Sequence, residues 1–233
     1  MDEPTVGKGT GKPIGRRVVL GILGLGAVGV VVGDGVQRGI DHALSPLQST
    51  GVGKLVPGGG SWTFYTVTNG FPAAPPDYRL QVGGLVRRPM ALTVDELRRL
   101  PATHLTRNWQ CVTGWQVADV HWVGVRLTDL FARAGMHPGV KGFRFWSFDG
   151  VYTETLTLDQ AHQSGAIVAY SMLGAPVTRA HGGPVRLYVP GMFGYKSIKW
   201  LQRVEAVSAL PEGYWEHYGY PIDGWIDGRP PSV

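Results

Sequence analysis

The sequence predicts an α+β domain of short strands and short helices, preceded by an apolar N-terminal segment. Three observations lead to this reading. Thirty-five Gly and seventeen Pro among 233 residues divide the chain into many short elements joined by turns. Apolar residues recur with period two in some stretches and near 3.6 in others, which mixes strands with helices. Hydrophobic residues make up 43% of the chain, with eight Trp and nine Tyr, so the body can bury a core rather than stay disordered.

Residues 1–17 are polar and basic and end in Arg16-Arg17; an apolar run from Val18 to Gly33 follows and stops at Asp34. A basic region before an apolar stretch is the layout of an export signal. The arginine pair resembles a twin-arginine signal, with Gly15 and Val19 where that signal usually has Ser or Thr and Phe. The run also reads as a membrane anchor oriented by its arginines; extended to Val36 it approaches the ~20 residues of a bilayer span. Residues 1–36 are therefore assigned as a twin-arginine-like signal or anchor, and both readings place the body outside the cytoplasm. Residues 37–61, with Gly58-Gly59-Gly60, read as a flexible tether. The domain itself is placed at 62–226, with 227–233 as a tail.

Within the body, Tyr78, Leu80 and Val82 alternate as a strand does, and Gly83-Gly84 marks the turn after them. Thr93-Val94-Asp95-Glu96 is a capping box that opens a short helix with Val94, Leu97 and Leu100 inward, closed by Pro101. Leu105 to Val112 reads as strand running into loop. Leu127, Leu130, Phe131 and Ala134 follow helical spacing, with Gly135 as the C-terminal cap. Residues 143–148 favour a strand by their aromatic content. Thr157 and Gln160 cap another short helix, and Ile167 to Met172 is a strand. Val185, Leu187 and Val189 share one strand face and Arg186 and Tyr188 the other, which lets the Arg186 charge leave the core.

The net charge of +5 does not point to nucleic acid. Lys8, Lys12, Arg16 and Arg17 gather in the export segment, and the remaining basic residues are dispersed without interleaved aromatics. A single cysteine excludes an intrachain disulfide and any Cys-x-x-Cys pair. That residue, Cys111, is either an inert buried side chain or a reactive thiol.

Three segments carry more specific information: RNWQCVTGWQVADVHWVGVRLTDLFARAG (107–135), AYSMLGAPVTRAHGGPVRLYVPGMFGYKSIKWLQRVE (169–205) and GYWEHYGYPIDGWI (213–226). Together they resemble the molybdopterin-binding domain of the sulfite oxidase superfamily, which also includes the catalytic subunit of a periplasmic protein-methionine-sulfoxide reductase. The resemblance covers about residues 62–226 and implies the sulfite-oxidase-type α+β fold, a molybdenum-molybdopterin cofactor and oxygen-atom transfer.

Residue by residue, the resemblance makes Cys111 the molybdenum ligand and the catalytic residue, and a soft thiolate suits such a metal. His181 and Arg186 become cofactor contacts, Arg186 through the paired hydrogen bonds its fork offers a phosphate. Gly182 and Gly183 would let the backbone approach the ligand. Ser197, Ile198 and Lys199 become direct contacts and Lys196 a further one. Ser147 falls where relatives place a Thr or Ser against the pterin, and Phe64 and Tyr65 where an aromatic loop covers it. The Asn-Arg-Arg that follows the cysteine in true sulfite oxidases is replaced by Val112-Thr113-Gly114-Trp115, and His121 stands where some relatives have Arg.

The resemblance implies a small S-oxide, N-oxide, sulfoxide or sulfite-like substrate. No haem-binding Cys-x-x-Cys-His is present, so a separate haem- or quinone-linked redox partner is expected. The competing class is a membrane-anchored, non-catalytic binding domain that keeps the fold.

Overall fold

The computed structural model describes residues 62–228. The apolar run and the 37–61 segment lie outside the described residues, so the expected anchor and tether have no structural account. No helix among the described residues is long and apolar enough to cross a membrane.

Strand β1 (Leu80–Gly84) buries Leu80 and Val82 and exposes Gln81, the period-two pattern expected there. It pairs with the short β2 (Met90–Leu92). Helix α1 (Val94–Arg98) starts on the expected capping box: Thr93 Oγ1 accepts from the Glu96 N–H, and the Glu96 carboxylate accepts from the Thr93 N–H. Only Leu97 of its inward residues is fully buried, while Val94 and Leu100 pack at the core's margin.

β3 (Thr103–Gln110) and β4 (Gln116–Arg126) form a long antiparallel hairpin. It feeds α2 (Leu127–Ala134), whose Leu127, Leu130, Phe131 and Ala134 are all buried. Gly135 closes that helix at φ 69°, a conformation that favours glycine. β5 (Gly142–Ser147) and β6 (Thr153–Thr157) lead to α3 (Leu158–Ser164), which opens on the Thr157–Gln160 capping box. β7 (Ile167–Met172), β8 (Ala175–Pro176) and β9 (Arg186–Tyr188) follow. A 3-10 turn at Gly194–Lys196, β10 (Leu201–Val207) and the one-turn α4 (Tyr214–His217) complete the elements.

Two sheets result. The first has the order β2-β1-β10-β5-β6, with β1 and β10 parallel and the other pairs antiparallel. The second runs β3-β4-β7-β8, with β9 also on β7. The main core joins Leu80, Val82, Phe143, Phe145 and Val204 of the first sheet to α2, α3 and one face of the second sheet through Val125, Val168 and Leu187. Phe131 of α2 packs on Phe143 with ring centroids 4.4 Å apart, and each such side chain contributes about 1.5–3 kcal/mol by burial.

A second core covers the opposite face of the second sheet. It holds Trp109, Trp122, Ile167, Ala169 and Tyr188, with Trp62 and Trp115 packed against it. This corrects the expectation for Val185–Val189. Arg186 and Tyr188 do face away from Leu187, but that face is aromatic interior rather than solvent, so all five residues are buried.

Candidate active site

Cys111 sits at the tip of the β3–β4 hairpin. Its N–H donates to the Trp115 carbonyl (2.9 Å) and its carbonyl accepts from the Gly114 N–H (3.1 Å), closing a tight turn. The thiol is half-exposed, and Thr113 Oγ1 donates to its Sγ at 3.2 Å. A partly exposed cysteine on a hairpin tip can present its sulfur to a ligand.

The positive charge of the site is buried. The Arg186 guanidinium is 1% exposed and lies over the Trp109 and Trp122 rings at 4.6 and 5.6 Å. Its nitrogens donate to the carbonyls of His181 (2.6 Å), Ser197 (2.8 Å) and Leu187 (3.3 Å). Backbone carbonyls orient it but carry no countercharge. Burial lowers its pKa to about 9, and the groups that oppose this are the tyrosines Tyr188 and Tyr152 rather than a carboxylate. A buried charge without a partner costs several kcal/mol.

Lys199 adds a second cation. Its Nζ donates to the Tyr65 carbonyl (3.0 Å) and faces the rings of Phe64, Phe71 and Trp200 at 5.3–5.8 Å. Burial and repulsion from Arg186 lower its pKa to about 7, partly offset by the Cys111 charge. Two cations that repel each other beside a thiol make a site for an anion.

His181 is held between the Trp62 and Phe64 rings, edge to face at 4.9 and 4.8 Å. Its Nδ1 shares a hydrogen with Thr178 Oγ1 at 2.9 Å. Burial, then Arg186 and Lys199, push its pKa down to about 3, so the ring is neutral. Its Nε2 is buried without a partner among the described residues, as are the indole nitrogens of Trp109 and Trp115. Buried polar atoms of this kind call for a ligand.

His181, Arg186 and Lys199 are thus brought together, with Cys111 near enough to act on the Lys199 charge; Phe64 packs on His181 and Lys199, and Tyr65 offers Lys199 its carbonyl. Ser197 contributes through its backbone carbonyl to Arg186, while its hydroxyl accepts the Val189 N–H (3.0 Å). Three expectations need correction or restriction. Ile198 is 1% exposed in the main core, so its side chain packs and only its backbone remains for a ligand.

Lys196 is not a free cation. All three of its donors are taken, by Glu154 (2.6 Å), Glu216 (2.6 Å) and the Thr155 carbonyl (3.0 Å). The Ser147 hydroxyl accepts the Asp149 N–H (3.1 Å), and Ser147 pairs with Leu201 at the end of the Lys199 loop, where the Phe148 N–H donates to the Trp200 carbonyl. The glycines also allow close approach within the chain. A Cβ on Gly182 would meet Lys199 at 2.6 Å, and one on Gly183 the Val177 carbonyl at 2.0 Å. They let two chain segments close on each other.

The sequence reading missed Tyr220. It packs on Trp215 and Tyr195 at 5.0 and 5.4 Å, and burial and the Cys111 charge both raise its pKa. Its segment was recognised as part of the resemblance, but nothing in GYWEHYGYPIDGWI distinguishes Tyr220 from its neighbouring tyrosines. Among the described residues, no three His, Cys, Asp or Glu side chains gather as a metal cage. A metal at Cys111 would therefore take its other donors from a cofactor. One soft thiolate, two cations lacking a carboxylate and a buried, unpartnered imidazole nitrogen fit an anionic, metal-bearing cofactor.

Residues 68–215 match the oxidoreductase molybdopterin binding domain family. The oxidoreductase YuiH of Bacillus subtilis (strain 168), described as uncharacterized, is 33% identical over 154 residues, covering 65% of this chain and 77% of YuiH. Arabidopsis thaliana sulfite oxidase is 27% identical over 190 residues, covering 67% of this chain and 47% of that protein. The protein-methionine-sulfoxide reductase catalytic subunit MsrP of Xanthomonas axonopodis pv. citri (strain 306) is 29% identical over 171 residues, covering 67% and 53%. The chain spans about half the length of these last two relatives.

The sulfane dehydrogenase SoxCD from Paracoccus pantotrophus has the same fold, with a TM-score of 0.58 at 24% identity over 63% of this chain and 42% of that one. The chain belongs to the oxidoreductase molybdopterin binding domain family. It is a sulfite oxidase-family enzyme, and its cofactor is molybdenum-molybdopterin.

Proposed function

We propose that the enzyme transfers an oxygen atom to or from a small, neutral sulfoxide, S-oxide or N-oxide, at a molybdenum held by Cys111. The observation that carries this reading is the buried pair Arg186 and Lys199, with no carboxylate on Arg186, beside the only cysteine. When bound, the cofactor supplies two-electron oxygen-atom transfer.

The chain supplies the rest. Cys111 holds the metal through its thiolate, and Arg186 and Lys199 bind the cofactor's phosphate. His181 offers Nε2 to the same ligand, and Phe64 and Tyr65 exclude water from it. Tyr220 places a neutral hydroxyl on the Cys111 side. The loop Val112-Thr113-Gly114-Trp115 carries no cation, which favours a neutral substrate over sulfite. Electrons pass to or from a separate haem- or quinone-linked protein, and the body works outside the cytoplasm, exported or anchored through residues 1–36.

Molybdenum per chain in the purified protein, together with turnover and melting temperature of Cys111→Ser, tests this reading. The expected result is about one molybdenum per wild-type chain and a variant that keeps its fold but loses turnover, because a hard hydroxyl replaces the thiolate. A variant that stays active with a lowered melting temperature would make Cys111 a packing residue and remove the mechanism. A panel of sulfoxide, N-oxide and sulfite reports the substrate class; sulfite as the sole good substrate would overturn the neutral-substrate assignment.

A further inference from the structure

We propose that Glu154 and Glu216 share one carboxyl proton, and that this proton lets Lys196 lock the cofactor loop to the segment carrying Tyr220. The three side chains come from different parts of the fold: Glu154 from β6, Lys196 from the 3-10 turn, Glu216 from α4. Glu154 and Lys196 are fully buried and Glu216 is 5% exposed.

Lys196 Nζ donates to one oxygen of each carboxyl at 2.6 Å, and Glu154 Oε1 also accepts the Thr155 N–H at 2.8 Å. The second oxygens, Oε2 of Glu154 and Oε2 of Glu216, are buried with no donor among the described residues. Both carboxyls bond the same Nζ, so they are held close to each other. Two buried carboxyls held this close are unfavourable when both are ionised, and a proton on one of them relieves the repulsion.

Charge leads to the same conclusion. Among the described residues, Lys196 is the one cation in contact with these two carboxyl groups, so full ionisation would leave an uncompensated negative charge in the core. The other titratable groups acting on the cluster supply no positive charge. Tyr152 and Tyr195 are held neutral by burial and by the two carboxyls, while Asp149 and Asp223 act on those tyrosines from further out. Burial is the largest cause that raises the Glu154 pKa, to about 8, with Lys196 opposing it and Glu216 reinforcing it. Burial pulls Lys196 down, but the two carboxyls outweigh it and raise its pKa. Packing leaves no slack: a Cβ on Gly213 would meet Glu216 Oε2 at 2.5 Å and Glu154 Oε1 at 3.0 Å.

The clasp connects two parts of the site. Ser197, next to Lys196, orients Arg186, and the chain after α4 leads to Tyr220. The sign of the pH effect follows from the raised pKa. The folded protein binds one proton more than the unfolded chain between the ordinary carboxyl range and about 8. Stability from this group is therefore full at acid pH, falls as pH rises through that window and is flat above it.

Glu154→Gln is the test, measured on the holoprotein. Its amide oxygen can accept from Lys196 and Thr155 as the Glu154 Oε1 does, so the variant retains those contacts but cannot titrate. Its melting temperature should match wild type at pH about 5 and exceed it by several degrees at pH about 9. Wild type should lose cofactor on dialysis at the higher pH, while the variant keeps it.

Wild type should also show an infrared carboxylic-acid carbonyl band at neutral pH that disappears on alkalinisation and is absent from the variant. A melting difference that is the same at both pH values, equal cofactor loss in both proteins, or no acid band in wild type would each overturn the proposal. If Glu154→Gln does not fold, the band in wild type decides. Melting and infrared readouts do not depend on Cys111 being the metal ligand, so they can fail or hold separately from the proposed function.

Discussion

Arg186 shows how much depends on what lies opposite a side chain. Its guanidinium is oriented by three carbonyls and packed against two indoles, with its charge unanswered among the described residues. Arg186→Ala should weaken cofactor binding by about 1.5–3 kcal/mol, read as lower pterin and molybdenum content. Arg186→Lys should fall between, because an ammonium cannot satisfy the three carbonyls and a phosphate together. Full cofactor content in Arg186→Ala would remove this role. The alternation of Val185–Val189 was legible in sequence and placed Arg186 on the face away from the main core. The second aromatic core covering that face was not, because its tryptophans come from residues 62, 109, 115 and 122. Lys196 and Lys199 look alike in the GYKSIKW segment; only the distant Glu154 and Glu216 distinguish them.

At the scale of elements, local chemistry was the most readable part. Both capping boxes, at Thr93–Glu96 and Thr157–Gln160, form with both reciprocal hydrogen bonds, because such signals need only four consecutive residues. Thr157→Ala should cost about 1 kcal/mol by freeing the Gln160 N–H at the start of α3. A lowered urea midpoint with an unchanged slope would check it, and an unchanged midpoint would mean that packing alone holds the helix. The helical spacing of Leu127–Ala134 was equally plain. β4, β6 and β10 were not assigned; β10 is set by pairing with the distant β1 and β5, while β4 and β6 follow hairpins from the strands just before them.

Over the whole molecule, the resemblance gave the family, and the order of strands within the sheets came only from the fold. The proposed location outside the cytoplasm rests on the sequence of residues 1–36. Replacing Arg16 and Arg17 with Lys should retain the protein in the cytoplasm with its cofactor bound, as expected for export in the folded state. Normal export of that double variant would leave only a plain anchor or signal.

The position of β10 has a consequence for synthesis. It lies between β1 and β5, although β1 starts at Leu80 and β10 ends only at Val207. A nascent chain that has emerged only as far as Trp200 therefore holds β2-β1 and β5-β6 as separate two-stranded pieces, each marginal alone. Ser197 and Lys199 immediately precede the strand that unites them. Ribosome-bound chains cut short before β10 should be digested by protease and carry no pterin, whereas chains released beyond Val207 should resist the one and bind the other. Cofactor loading thus becomes a post-translational event, timed by the last strand of the sheet.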